Sequence, residues 1–348
     1  MTPADRVMTV RGEIDVAGLG VTLPHEHLLC DLRALWHPPG EDRPDLQQYV
    51  NKDPAPEDRG PLSSDPYVCL PNLLLDDPAL AARELGRFRE AGGTSVVELT
   101  TAGLSPRPAD LRRISEAAGV HVIAGCGWYR QVTQPPGLEN SSETDLTQQL
   151  VRTIRDGFPE TDGVRPGIIG EIGTGDPIHP NEIRALRAAA RAQAETGLAL
   201  AVHLALWGRQ GGAVLEVLAA AGANLKRVVL CHLGEQPASL DYHRSLLDQG
   251  VFLSFDTFGA EYRLDGIGRR LATDEERMEG LVAALNAGYC AQLLISQDVC
   301  ERLQLRAYGG FGYAHLLTTI VPRLRRLGVS EATIDLLQRE NPARLLAH

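Results

Sequence analysis

Short apolar runs rich in Val, Ile and Leu recur along the chain, separated by longer stretches whose apolar residues repeat at helical spacing. Eight runs read as strands: GVTLPHEHLL at 20–29, TSVVELT at 94–100, VHVIAGCGWY at 120–129, GIIGEIG at 167–173, LALAVHLAL at 198–206, RVVLCHLG at 227–234, VFLSFDTF at 251–258 and AQLLISQDV at 291–299. Near-continuous apolarity is the pattern of strands covered on both faces, as in a parallel sheet flanked by helices. Helix signals fall between the runs. Asp77 can cap a helix that begins at Pro78 and ends before Gly92, and Thr273 with Glu276 forms a capping box for a helix that exits at Gly288. Eight strands alternating with helices predict an α/β fold of the (β/α)8 TIM barrel type. We expect one domain over residues 1–348, with a long loop insertion after strand one formed by the polar, Pro-rich stretch from His37 to Pro66. The competing architecture, an open doubly wound sheet, would show a Gly-rich phosphate turn after its first strand, and no GxGxxG is present.

Charge narrows the partners. The formal net charge of -11 opposes the counterion release that drives nucleic-acid binding, and no Lys/Arg-rich stripe offsets it. Neither nucleic acid nor an anionic membrane is an expected partner. The N-terminal MTPADRVMTVRGEIDVAG carries charges where a leader needs an apolar segment, and no run approaches a membrane span. The six cysteines stand singly, without CxxC pairs, which fits reduced thiols and a cytoplasmic location.

The chemistry begins at LPHEHLL. His25 and His27 are two residues apart, so on a strand both imidazoles face the same side, here the barrel interior. HxH alone is a weak signal. Its weight comes from Glu171, His203, His232 and Asp298, which stand near the C-terminal ends of strands four, five, six and eight, the rim where barrel active sites assemble. Separate hydrogen bonding of each is the alternative, but six such residues around one ring share an economical solution in bound cations. Four histidines and two carboxylates suit Zn²⁺, with Mn²⁺, Co²⁺ and Fe²⁺ as further candidates. Six ligands exceed the needs of one tetrahedral ion, which points to two divalent metal ions about 3.5 to 4 Å apart, bridged by a carboxylate and a hydroxide. Their charge would exceed that of Glu171, Asp298 and the hydroxide by one, a surplus able to polarise a carbonyl or phosphoryl oxygen.

These motifs resemble the phosphotriesterase family of the amidohydrolase superfamily, above all its phosphotriesterase-related subgroup. LPHEHLL, GIIGEIG, the His203 and His232 strands, the tail YGGFGYAHLLTTIVPRL and the following ENP carry the resemblance over nearly the whole chain. It implies that His25, His27 and Asp298 hold the more buried metal, that His203 and His232 hold the other, and that Glu171 bridges. It also implies that Asp298 accepts a proton during attack, and that the protein is a homodimer. The founding phosphotriesterases bridge with a carboxylated lysine, whereas this sequence has the shorter Glu171, a departure that tilts expectation from organophosphates toward carboxyl-derived substrates.

Rim position nominates further residues. Trp128, Tyr129 and Arg130 follow strand three, Trp207 and Arg209 follow strand five, and Asp256, Phe258, Glu261 and Tyr262 follow strand seven. Of these, Trp128, Tyr129, Arg130, Trp207, Arg209, Phe258 and Tyr262 are the candidates for substrate contact, with the two arginines suited to an anionic group. Glu98 is a candidate to orient a ligand, with a plain core hydrogen bond as the alternative. The expected function is metal-dependent hydrolysis of a small ester, lactone or amide. Organophosphate hydrolysis, a non-catalytic small-molecule-binding barrel and a single-metal lyase or aldolase are the alternatives.

Overall fold

A computed structural model describes residues 6–348; the first five residues, part of the segment read for a leader, lie outside the described residues. Strands β1 Thr22–Glu26, β2 Ser95–Glu98, β3 His121–Cys126, β4 Ile168–Gly173, β5 Ala199–His203, β6 Val228–Leu230, β7 Phe252–Phe255 and β8 Leu293–Ile295 form one sheet. Each strand neighbours the next in chain order, and every pair is parallel. Helices α1 Pro78–Glu90, α2 Pro108–Ala118, α3 Glu143–Asp156, α4 Pro180–Thr196, α5 Gly211–Ala220, α6 Leu240–Leu247 and α7 Asp274–Asn286 fill the successive crossovers. This is the (β/α)8 barrel.

The predicted caps hold the helices. Asp77 accepts from Ala79 N and Leu80 N at the start of α1, and the Thr273 and Glu276 box closes the start of α7. Gly92 and Gly288 take positive φ just past the two helix ends, where a side chain would strain the backbone.

The barrel closes between β1 and β8 through a carboxylate. Glu26, between the two histidines of the HEH motif, accepts from Ser296 Oγ at 2.8 Å, Gln297 N at 2.9 Å and Val299 N at 3.0 Å. Burial pushes its carboxyl up to about 7 against these hydrogen bonds. Ser296 Oγ also spans the seam, accepting from His25 N and lying 2.9 Å from His25 O.

Two apolar layers result. Leu200, Val202, Leu230 and Leu253 pack with helix residues in the larger cluster, while Val97, Ile123, Ala201, Val229 and Leu294 share a smaller one with Val7, Leu345 and Leu346. The smaller cluster is the barrel interior, stoppered by both chain ends. The hairpin Arg6–Thr9 with Gly12–Asp15, absent from the sequence reading, supplies Val7. Two short antiparallel pairs were also not anticipated: Cys30–Asp31 with Leu74–Leu75, and Arg263–Leu264 with Arg269–Arg270.

The stretch expected as a loop insertion holds the short turns Pro44–Tyr49 and Pro56–Asp58 and a single helical turn, Arg59–Leu62. Leu46 and Leu62 bury there against Val68, Cys69 and Leu303. Among the described residues, no helix is long and apolar enough to cross a membrane.

Candidate metal centre

Strand alternation carries some of the site residues inward and backbone distortion carries others. On β5, Ala199 and Ala201 face the interior, so His203 does as well. On β6, Val229 and Cys231 face inward, and simple alternation would send His232 out. His232 instead takes φ 69°, a left-handed conformation uncommon without glycine, and its imidazole reaches the interior. On β4 the register shifts between Ile169 and Ile172, which places Glu171 inside and Ile172 in the outer layer. Asp298 also takes a positive φ, 50°, just beyond β8.

The six predicted residues meet at one point. Glu171 lies 3.4 Å from His25 Nε2, 3.5 Å from His27 Nε2, 3.4 Å from His203 Nδ1 and 3.6 Å from His232 Nε2. Asp298 lies 3.5 Å from His25 Nε2 and 3.2 Å from His27 Nε2. Donor atoms of His25, His27 and Glu171 fall within 4.8 Å of one another, as do those of Glu171, His203 and His232, so two histidine pairs share one carboxylate.

The outward ring nitrogens are held by acids and hydroxyls. Asp256 accepts from both His25 Nδ1 and His232 Nδ1 at 3.0 Å, and from His232 N at 2.9 Å. His27 Nδ1 is 2.9 Å from Thr100 Oγ1, whose hydroxyl donates to Glu98 at 2.5 Å. These partners make each Nδ1 the protonated atom and aim the Nε2 lone pairs at the cluster. Glu98 thus orients His27 through Thr100. Asp256, nominated as a pocket residue, is instead fully buried beneath the histidines.

The arrangement fits cations. Lone pairs of His25, His27 and His232 converge on a carboxylate, and His203 Nδ1 faces His232 Nε2 at 2.8 Å, contacts that repel unless positive charge lies among them. Buried His25 Nε2 and Glu171 Oε2 have no hydrogen-bond partner. Protons answer the same demand. Burial disfavours a charged His27, yet Asp298 and Glu171 raise it to about 9, whereas burial and the neighbouring His232 lower His203 to about 4. Cys231 also touches the cluster, but burial pushes its thiol up to about 11, leaving it a poor ligand.

Above the cluster opens a cavity of about 390 Å³. Of the substrate-contact candidates, Tyr129, Arg130, Trp207 and Tyr262 line it, and the Tyr129 hydroxyl lies 3.2 Å from His203 Nδ1. Trp128, Phe258 and Arg209 do not. Trp128 and Phe258 are buried in the outer apolar layer, and Arg209 turns away to donate to Ser239 Oγ at 2.8 Å over the Tyr242 ring. Position after a strand says nothing about which way a side chain turns. Glu261 likewise is engaged elsewhere, accepting from Asp274 N at the start of α7. His179 caps α4 and His37 stands at the cavity wall 3.4 Å from Asp65, so both lie outside the cluster.

Asp256→Asn tests the orienting carboxylate. With one anion removed from two imidazoles, metal affinity should fall about 10- to 100-fold. Competition with a chromogenic chelator measures it, and unchanged affinity would refute the orienting role.

A parallel barrel with an inward His/Glu/Asp cluster that could hold metal, set beneath a rim cavity, has the form of a metal-dependent enzyme. The sequence matches the Phosphotriesterase family over residues 5–346, and the chain belongs to that family. It is similar to an N-acetyltaurine hydrolase of Tetraodon nigroviridis, 33% identical over 350 residues, covering 97% of this chain and 96% of the relative. A resiniferatoxin-binding protein from Rhodobacter sphaeroides superposes with a TM-score of 0.96 at 37% identity, covering 99% of this chain and 95% of that one. A mutant PTE-like lactonase of Deinococcus radiodurans superposes with a TM-score of 0.76 at 28% identity, covering 98% and 100%.

Proposed function

We propose that this protein hydrolyses a carboxyl-derived bond, foremost an amide, with an ester or lactone as the near alternatives, at a centre of two divalent cations. One observation carries the reading: Glu171 touches two separate histidine pairs at the floor of a cavity large enough for a small substrate. His25, His27 and Asp298 would hold one cation, His203 and His232 the other, and Glu171 both, with Zn²⁺ the best match to the donor set. Bound divalent cations supply a Lewis acid for the carbonyl oxygen and acidify water.

The protein's own groups divide the remaining work. Asp298 has a side chain 17% exposed while that of Glu171 is 2% exposed, so Asp298 is the carboxylate within reach of a substrate and of the proton released as water attacks. Asp256 and Thr100 keep the imidazoles oriented throughout. Tyr129, Trp207 and Tyr262 form walls that position substrate and limit bulk water. Support for the amide comes from the N-acetyltaurine hydrolase relative, and support for the lactone from the PTE-like lactonase.

The similarity to a resiniferatoxin-binding protein favours a second reading, ligand binding without turnover. Metal removal separates the two. Chelated protein should lose turnover of an amide, ester and lactone panel, and reconstitution with Zn²⁺, Mn²⁺ or Co²⁺ should restore it with two ions per chain. Binding without turnover of any panel member, including a phosphotriester, would establish the second reading; one ion per chain at saturation would point to a single-metal lyase.

A further inference from the structure

We infer that Arg130 sets the specificity of this cavity by receiving an anionic group, a sulfonate or carboxylate, carried by the substrate near the cleaved bond. The inference rests on the hydrolase reading and names the substrate class within it. Among the described residues that line the cavity, Arg130 is the only Lys or Arg. Its Nε is buried and has no hydrogen-bond partner among the described residues. The residue is half-buried, and the terminal nitrogens of its guanidinium offer an anion in the cavity the two-pronged geometry that suits sulfonate and carboxylate.

The arginine stands on a built platform. Gln131 N donates to the buried Glu182 at 2.9 Å, and the same carboxylate accepts from Gly175 N and His179 N, tying the loop after β3 to the start of α4. Gln134 Nε2 donates to Tyr129 O, and Thr133 Oγ1 donates to Arg130 O. The last residue of β4 completes the seat: a Cβ on Gly173 would collide with Arg130 N, so glycine there lets the loop lie against the strand that carries Glu171. The backbone of Arg130 is thereby fixed against β4 before substrate arrives, so binding does not have to order the loop.

Elsewhere in the lining, Leu35, Leu264, Ile267 and Leu271 present hydrocarbon, and the acids Glu171, Asp298 and Asp176 repel an anion. With the acyl carbon at the cations, an anionic group finds its complement at Arg130 and an apolar part finds the leucine wall. Arg209, the other guanidinium that the sequence nominated, is spent on Ser239 and Tyr242.

The test compares N-acetyl-2-aminoethanesulfonate and N-acetyl-β-alanine with the neutral N-acetylethanolamine on metal-reconstituted protein. Arg130→Gln should lower the charged-to-neutral ratio of kcat/KM roughly 10- to 100-fold, mainly through KM, with Arg130→Lys intermediate. Arg209→Ala should leave the ratio where it was. Calorimetric titration of metal-stripped protein with the sulfonate reads the same site without turnover and should show binding lost in Arg130→Gln; thermal melts confirm the fold. If turnover persists but charged and neutral substrates respond alike to Arg130→Gln, the anion subsite is overturned. Absence of turnover with every substrate would overturn the hydrolase reading, while the calorimetric comparison would still decide Arg130.

Discussion

Asp298→Asn is expected to lower kcat by roughly 10²- to 10⁴-fold, the range of a lost general base, while leaving metal content close to that of the unaltered protein. The substitution isolates the proton-accepting role for a structural reason. Asp298 has φ 50°, and Asn is among the few non-glycine residues that adopt the left-handed region readily, so the turn after β8 survives. The amide oxygen can still approach a cation, and His25, His27 and Glu171 stay in place. What disappears is the negative charge that accepts a proton at the edge of the cavity. Steady-state kinetics on a reconstituted sample, with elemental analysis of the same sample, measures both quantities. Turnover within about threefold of the unaltered protein would remove Asp298 as base.

Glu171→Gln should act on the cations themselves. Glu171 is the one carboxylate within 3.6 Å of all four histidines, and neutralising it takes the shared anion from both cation positions at once. The expected result is loss of at least one of two ions per chain at low micromolar free metal, with turnover reduced more than about 100-fold, beyond the effect of losing an outer orienting group. The two variants therefore separate by metal content: Asp298→Asn retains ions without activity, and Glu171→Gln loses both. Full stoichiometry in Glu171→Gln would mean that the histidines and Asp298 hold two cations without the shared carboxylate, and the proposed bridge would be withdrawn.

The contrast between these acids and Asp256 shows how far a sequence reading reaches. Glu171 and Asp298 stand out because a charged group inside an apolar strand needs a partner, and that requirement is visible from neighbouring residues. Asp256 satisfies the same criterion at the end of VFLSFDTF, yet its place on the rim points equally to the pocket. Its partners, His25 and His232, lie 231 and 24 residues away, His232 on the neighbouring strand and His25 brought close only by closing the barrel. The role of Glu26 is hidden for a similar reason: the three donors it accepts from, at 296, 297 and 299, meet it only across the seam between β1 and β8.

Substrate-facing residues were the least legible. Trp128 and Tyr129 are adjacent, and one packs into the outer layer while the other reaches His203. Arg130 and Arg209 have the same chemistry and comparable places after their strands, but one faces the cavity and the other binds Ser239. Loop backbones have no fixed period, so spacing does not predict side-chain direction there as it does within a strand.

The sequence by itself determined the eight-strand, helix-alternating barrel, because strands covered on both faces must be apolar and helix ends must be capped, requirements written in local residue order. It also determined which inward acids and imidazoles demand a common counter-charge. The tertiary structure alone decided how those groups meet: the left-handed turn at His232 and the register shift at Glu171 bring in side chains that alternation would have turned out. Strand pairing and ring closure then joined Asp256 to His232 and His25, and the loop after β3 placed Arg130 at the cavity wall, contacts set by packing in three dimensions that no local pattern encodes.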